Sequence, residues 1–503
     1  MRITFLVQSA HKLGGTERAA LTQANALVDL GHEVRLLSVV KAAEQPAFWI
    51  DERVAVEFLV DLTQSHDEAL HARPSVLVPE RWDKQFSALT DVGLEAGLRG
   101  LQTDVLVTVT PALLATALAL VPDEVVVVHQ EHRSSSQRTS GLEPLLVNAP
   151  RADVVALLTT AMGDWLRAEL GPVAPEVVVV PNALPQGHAP RSLLDSRTIV
   201  AAGRLVMEKQ FLKLVQAFAD VADELPGWRL RILGQGHQRP HLVRETRKRG
   251  LYDRVELPGT ATDMASEWAK ASVMALTSRA EGFPLTMQEA MAAGVPCVSF
   301  DCASGPREIV RHEVNGLLVA PESIAGMSAA LLRVGRDDEL RRRLGAGALE
   351  TAAEWEASRI AGRWVEVFER ALERRAGRPR YAALAARPAP PPPRRRRSGP
   401  TASRPRTPVT PRWTWPPAPP PRSPTSGWSS RPTRPGGRSW CCRWPRARRT
   451  SRSSPGPTRR RTSPCATPPS TAGPSAAVRS RRWPPTCCAA VRRSSRSSRP
   501  RRR

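Results

Sequence analysis

VMALTSRAEGFPLTMQEAMAAGVPCVSF, residues 273–300, alternates structure in a way that decides the architecture. VMALTS (273–278) is an apolar run, and PCVSF (296–300) is another. Between them PLTMQEAMAAG has helical composition, with Pro284 suited to a first helical turn and Gly294 to a helix stop. Strand, helix and strand in so short a span predict two parallel strands joined by a helix packed on the sheet. Two acids bracket the helix start. Glu281 lies in the loop before it, and Glu289 sits just over a turn inside. Gly282, Phe283, Pro284, Leu285 and Thr286 form the helix entry, where unpaired N–H groups can hold phosphate oxygens. Glu289 offers one carboxylate to two hydroxyls, the shape of a ribose diol. The plainer alternative makes Glu289 a surface helix residue and Glu281 a partner of the helix dipole.

The same alternation extends outward in two series. RITFLV (2–7), EVRLLSVV (33–40), DVLVTVT (104–110), EVVVVH (124–129), DVVALLT (153–159) and EVVVVP (176–181) form the first. TIVAAG (198–203), WRLRILG (228–234), RVELPG (254–259), VMALTS, PCVSF and GLLVA (316–320) form the second. Continuous Val, Leu and Ile runs predict strands covered on both faces of a parallel sheet. Helical stretches separate them, including Glu17–Leu30 and Gln210–Leu225. The expected fold class is α/β: two Rossmann-like, doubly wound domains facing a cleft, joined near PNALPQGHAPRS (181–192). Ligands in such sheets bind beyond the carboxyl ends of the strands.

Charge sharpens the boundary at the other end. The 503 residues carry a formal net charge of +25. Residues 388–503 contain 29 Arg and no Lys, Asp or Glu, which leaves 44 basic against 48 acidic residues for 1–387. The first part is therefore near neutral, and the excess sits in a tail of Pro, Arg, Ser, Thr and Ala. That tail has no Leu, Ile or Phe, so it is expected to be disordered. Acidic polymers or an anionic lipid surface are its electrostatic partners if the tail is genuine. Its mixture, with six of the 13 Trp and five of the seven Cys, also matches out-of-frame translation of a GC-rich gene. Cys297 and Cys302 show no zinc spacing, no run of about 20 apolar residues occurs, and MRITFLVQSAHKLGG reads as a first strand rather than a leader. The expectation is a cytoplasmic protein without a metal or other cofactor.

Four further stretches stand at strand ends. SAHKLGGTER (9–18) opens a helix, with Gly14 and Gly15 either permitting close backbone approach to an anion or simply making a tight structural turn. AAGRLVMEKQ (201–210) puts Arg204 and Lys209 where they can clamp a diphosphate or simply be solvated. LGQGHQRP (233–240) suits a plain strand–helix turn. VVVVHQEHRSS (125–135) ends a buried strand at His129, which either faces the cleft, with Glu131 and His132 as rivals, or is a satisfied structural histidine.

Taken in order, these motifs resemble the family 4 retaining glycosyltransferases of the GT-B fold, over residues 1–375. VPNAL (180–184), NGLLVAP (315–321) and the E-x7-E spacing of Glu281 and Glu289 add to the likeness. The resemblance implies a nucleotide-sugar donor, with UDP the usual nucleotide, and an acceptor hydroxyl in cell-envelope, polysaccharide or glycoconjugate synthesis. It implies that Glu289 binds the ribose and that Arg204 and Lys209 hold the diphosphate, with amides around Leu285 and Thr286. Glu281 and His129 would meet the donor sugar, Gly15 the diphosphate or acceptor, and VELPG the base. It also implies an acceptor domain over 1–185, a donor domain over 186–353, helices over 354–377 returning to the first domain, and the tail over 378–503. Asn182-Ala183 departs from the usual Asn-Gly. Rival functions are another GT-B enzyme, an epimerase or phosphorylase, or a tail-driven polyanion or anionic-surface binder. Specific nucleic-acid binding is not expected. Peripheral contact with the inner face of a membrane is the one further partner expected.

Overall fold

The computed structural model describes residues 1–133, 140–185, 190–302 and 304–376, and the expected disordered tail lies outside them. Two parallel sheets organise the chain. The first has the order β3-β2-β1-β4-β5-β6-β7, from β1 (Arg2–Val7), β2 (Glu33–Lys41), β3 (Ala55–Asp61), β4 (Val105–Thr108), β5 (Val126–Glu131), β6 (Val154–Leu157) and β7 (Glu176–Val179). The second has the order β10-β9-β8-β11-β12-β13, from β8 (Thr198–Ala202), β9 (Arg229–Leu233), β10 (Val255–Gly259), β11 (Val273–Leu276), β12 (Cys297–Phe300) and β13 (Gly316–Val319). Every pairing is parallel.

The apolar runs explain this directly. The central strands β4, β5 and β6 are buried at every position, because helices cover both faces and leave no polar side to alternate. β3 has no counterpart among the sequence expectations. It is the edge strand, AVEFLVD, exposed along its first half, so it lacks the continuous apolar run that marks its neighbours.

Each lobe has its own core. Ile3, Phe5, Leu36, Val107 and Val127 centre the first, and the last helix, Ala357–Arg375, adds Ile360, Trp364 and Phe368 to it. The second sheet is covered on one face by Phe218, Leu214 and Val334, and on the other by Met274, Met287 and Trp268. The chain thus crosses between lobes twice. The crossings meet where the Leu184 amide donates to the Trp355 carbonyl at 2.8 Å. Asn182 is buried there. Its side-chain amide donates to the Phe283 carbonyl at 3.2 Å, and its carbonyl accepts from Gln288 at 2.8 Å. Ala183 is not among the residues with positive φ, so the turn accommodates it without strain.

Candidate functional site

The helix Leu285–Ala292 begins one residue later than the proline pattern suggests: Pro284 is its N-cap, at φ −67° and ψ 110°. Its first amides point toward the edge where β11 and β12 end, free of helical partners. The loop before it, Glu281 to Phe283, is held from outside. Ser304 Oγ donates to the Glu281 carbonyl at 2.5 Å. Gly305, at φ +52°, lets its backbone come so near that a Cβ would stand 2.5 Å from the Gly282 oxygen. Only glycine meets both demands.

Glu281 and Lys209 meet here. Lys209 Nζ stands 2.5 Å from Glu281 Oε1, which also accepts from Ser278 Oγ at 2.5 Å. Lys209 ends a short 3-10 turn, Met207–Lys209, whose carbonyl accepts from Thr277 Oγ1 at 2.9 Å. Arg204, one loop earlier, is exposed, and no described carboxylate pairs with it. Its loop is pinned against the Gly-x-Gly turn: the Leu205 amide donates to the Gln235 carbonyl at 2.7 Å, and a Cβ on Gly234 would lie 1.9 Å from the Gly203 oxygen. The Gly-x-Gly stretch therefore shapes the Arg204 loop.

Glu289 is buried one turn into the helix. Its Oε2 accepts from Trp268 Nε1 at 3.1 Å, and its Oε1 lies 2.5 Å from the Arg18 guanidinium. Burial pushes the Glu289 carboxyl above its ordinary value, against the opposing pull of Arg18 and the Trp268 hydrogen bond. Arg18 belongs to the first helix, Gly15–Asp29, of the other lobe, and its guanidinium also sits 5.5 Å from the Phe48 ring centre. A Cβ on Gly15 would be 3.8 Å from Leu285 Cδ1, so the N-terminal ends of the two helices face one another across the cleft. A second bridge reaches the other way. Glu308 accepts from the Thr160 and Ala161 amides at 2.7 and 3.0 Å, at the start of the helix Thr160–Leu170 in the first lobe.

Arg18 has no place among the sequence expectations. The GGTER motif contains it, but only the packing of the two lobes shows its partner. His129 departs from the cleft-facing expectation and takes the structural alternative. β5 runs on to Gln130 and Glu131, so His129 is not the strand's last residue and is fully buried rather than open to the cleft. Gln130 and Glu131 are polar yet also buried, which disguises the strand's true end. His129 Nδ1 lies 3.0 Å from Thr108 Oγ1 and 3.1 Å from the Thr108 carbonyl, while Nε2 makes no hydrogen bond and stands 3.7 Å from Glu131 Oε2. Burial lowers the neighbouring His132 to about 4, so that ring is neutral. Among the described residues no three His, Cys, Asp or Glu side chains gather as a metal-binding group, and no helix is long and apolar enough to cross a membrane.

The same order of elements occurs in known proteins. Residues 13–185 match the model for Glycosyltransferase Family 4, and residues 189–351 match the model for Glycosyl transferases group 1. An exopolysaccharide phosphotransferase of Streptomyces coelicolor is 42% identical over 389 residues, which is 75% of this chain and only 41% of that protein. An uncharacterized glycosyltransferase of Haemophilus influenzae is 28% identical over 66% of this chain and 89% of its own length. Staphylococcus aureus TarM, solved as a mutant in complex with fondaparinux, α-GlcNAc-glycerol and UDP, superposes with a TM-score of 0.61 at 14% identity, covering 73% of this chain and 99% of its own. That likeness shows the GT-B fold. In this order the two matched segments are glycosyltransferase domains, the second of group 1, and they make the chain a transferase enzyme.

Proposed function

We propose that the chain is a retaining, family 4 glycosyltransferase that moves a sugar from a nucleotide-diphosphate donor, UDP-linked, to an acceptor hydroxyl of a cell-envelope polysaccharide or glycoconjugate, working in the cytoplasm. The observation that carries this is the helix Leu285–Ala292, with a buried carboxylate one turn inside it and a lysine–glutamate pair just outside. That spacing fits ribose, diphosphate and sugar in turn. Glu289 accepts from the ribose hydroxyls, displacing Arg18 from at least one oxygen. Arg204, Lys209 and the amides of Leu285 and Thr286 take the diphosphate. Gly282, Phe283 and Pro284 shape the approach, and VELPG lines the base. The UDP in the staphylococcal structure supports the choice of nucleotide.

Chemistry then needs charge stabilisation more than proton transfer by a side chain. The acceptor oxygen bonds to the anomeric carbon as the bond from that carbon to the diphosphate breaks on the same face. The hydroxyl proton passes to the departing phosphate oxygen. Binding of the diphosphate separates Lys209 from Glu281, which frees Glu281 to meet the donor sugar. His129 is assigned the same task, which requires it to leave its buried place beside Thr108 and Glu131. Screening nucleotide sugars for hydrolysis by the full chain, then acceptors by mass shift, tests the proposal. Arg204→Ala and Lys209→Ala are expected to lower kcat/KM at least a hundredfold, about 2.7 kcal/mol. Near-wild-type kinetics in both would sink the diphosphate clamp.

A further inference from the structure

A cavity of about 740 Å³ opens at the carboxyl ends of β1 and β2 and beside β3, built wholly from the first lobe. Its wall includes Gln8, which is 6% exposed, and His11, whose ring stacks on Phe58 at 5.2 Å. Gln8 Oε1 and both ring nitrogens of His11 are shielded from solvent and have no protein partner. Buried polar atoms left this way are costly, and a turn of either side chain into the cavity lets a hydroxyl-bearing ligand satisfy them. Around the mouth stand Lys12, Arg73 and Lys84, contributed by three separate stretches of chain. Among the described residues Glu80 is the only carboxylate in the lining, and it stands 3.6 Å from Lys84. Lys12 has only a distant partner, Glu17 at 3.9 Å, and no described carboxylate pairs with Arg73.

We propose that this cavity is the acceptor site and that the acceptor carries a phosphate group, seated against Lys12, Arg73 and Lys84, with its hydroxyls on Gln8 and His11. The inference rests on the transferase reading and adds the acceptor's chemical class to it. Three cations from separate stretches outnumber the single carboxylate of the lining, an excess that suits an anion with three oxygens better than a neutral glycan. The donor's own phosphates are provided for on the other lobe, by Arg204 and Lys209. Ser9, His11 and Lys12 lie in the loop that leads to Gly15, so the cavity adjoins the cleft where Gly15 meets Leu285.

Calorimetry on the full chain with saturating UDP tests this. The probes are glucose 6-phosphate and glycerol 3-phosphate, against methyl glucoside, glycerol and glucuronic acid. The expected result is at least tenfold tighter binding of the phosphate-bearing probes, weakening with salt. In Arg73→Gln/Lys84→Gln and, separately, in Lys12→Gln that preference falls at least fivefold, with UDP affinity retained. Equal binding of neutral probes, equal binding of glucuronic acid, or an unchanged preference in both variants overturns the proposal. If the wild-type chain binds no nucleoside diphosphate, the transferase reading itself fails and takes this one with it. UDP binding with no sugar-phosphate preference removes the acceptor class alone.

Discussion

Arg18 and Glu289 come from opposite lobes, yet they form an ion pair that spans the cleft. Each Glu289 carboxylate oxygen has one partner, Arg18 or Trp268, which leaves acceptor capacity for the diol proposed above. Its raised pKa has a direct consequence. As pH falls through the window between the raised value and the ordinary 4.5, Glu289 in the folded chain gains a proton and loses acceptor capacity. Donor KM is expected to rise across that window, and Glu289→Gln to be impaired at every pH with no such slope. Initial rates from pH 4.5 to 7.5 at subsaturating donor check this. The sign for stability is opposite: an acid whose folded pKa is raised favours the folded state at low pH, and that gain is lost as pH rises through the window. Arg18→Ala leaves the carboxylate without its cation, so the pKa moves further up. The variant is expected to unfold about 1–3 kcal/mol more easily, the cost of a buried acceptor left unsatisfied, measured by urea titration at pH 7. Glu289 was legible in the sequence because its distance from the helix start is set by helical geometry. Arg18 was not, because nothing in a single chain segment encodes which residue of another lobe it meets.

At the scale of elements, the strands were readable wherever burial is two-sided, and β3 was missed because an edge strand keeps one face wet. The loop of Glu281 to Phe283 was readable as a loop, but not the way it is gripped. Gly305→Ala would combine a left-handed backbone with a Cβ 2.5 Å from the Gly282 oxygen. A loss of about 2 kcal/mol is expected, together with a donor KM raised about tenfold, since Glu281 shifts with its loop. Thermal unfolding and donor titration would separate the two effects. Glu308→Ala removes two charge-assisted bonds to a helix start in the facing lobe. About 1 kcal/mol of stability is at stake. The larger expected effect is a more open average shape, seen as an increased radius of gyration by X-ray scattering. An unchanged radius would show that Glu308 does not hold the lobes together.

Across the whole molecule, charge and function separate. The near-neutral residues 1–387 contain the whole candidate site, while the net positive charge belongs to residues 388–503. A chain ending at Arg387 is expected to keep wild-type transfer rates, measured by donor consumption. A loss of more than tenfold would favour a tail-driven function instead. Cutting before Ala357 has the opposite expectation, because Ile360, Trp364 and Phe368 fill the first lobe's core. Such a chain should aggregate.

The two peptide crossings lie side by side, tied by the hydrogen bond from Leu184 to Trp355. A book opens about its spine and resists being sheared along it, and paired crossings impose the same restriction here. The Trp355 ring also sits edge-on to Phe283, with centroids 5.5 Å apart. Swinging the covers therefore tugs on the page that carries the donor loop. The angle between the lobes and the posture of Glu281 become one coordinate, so a substitution at Trp355 would alter both together.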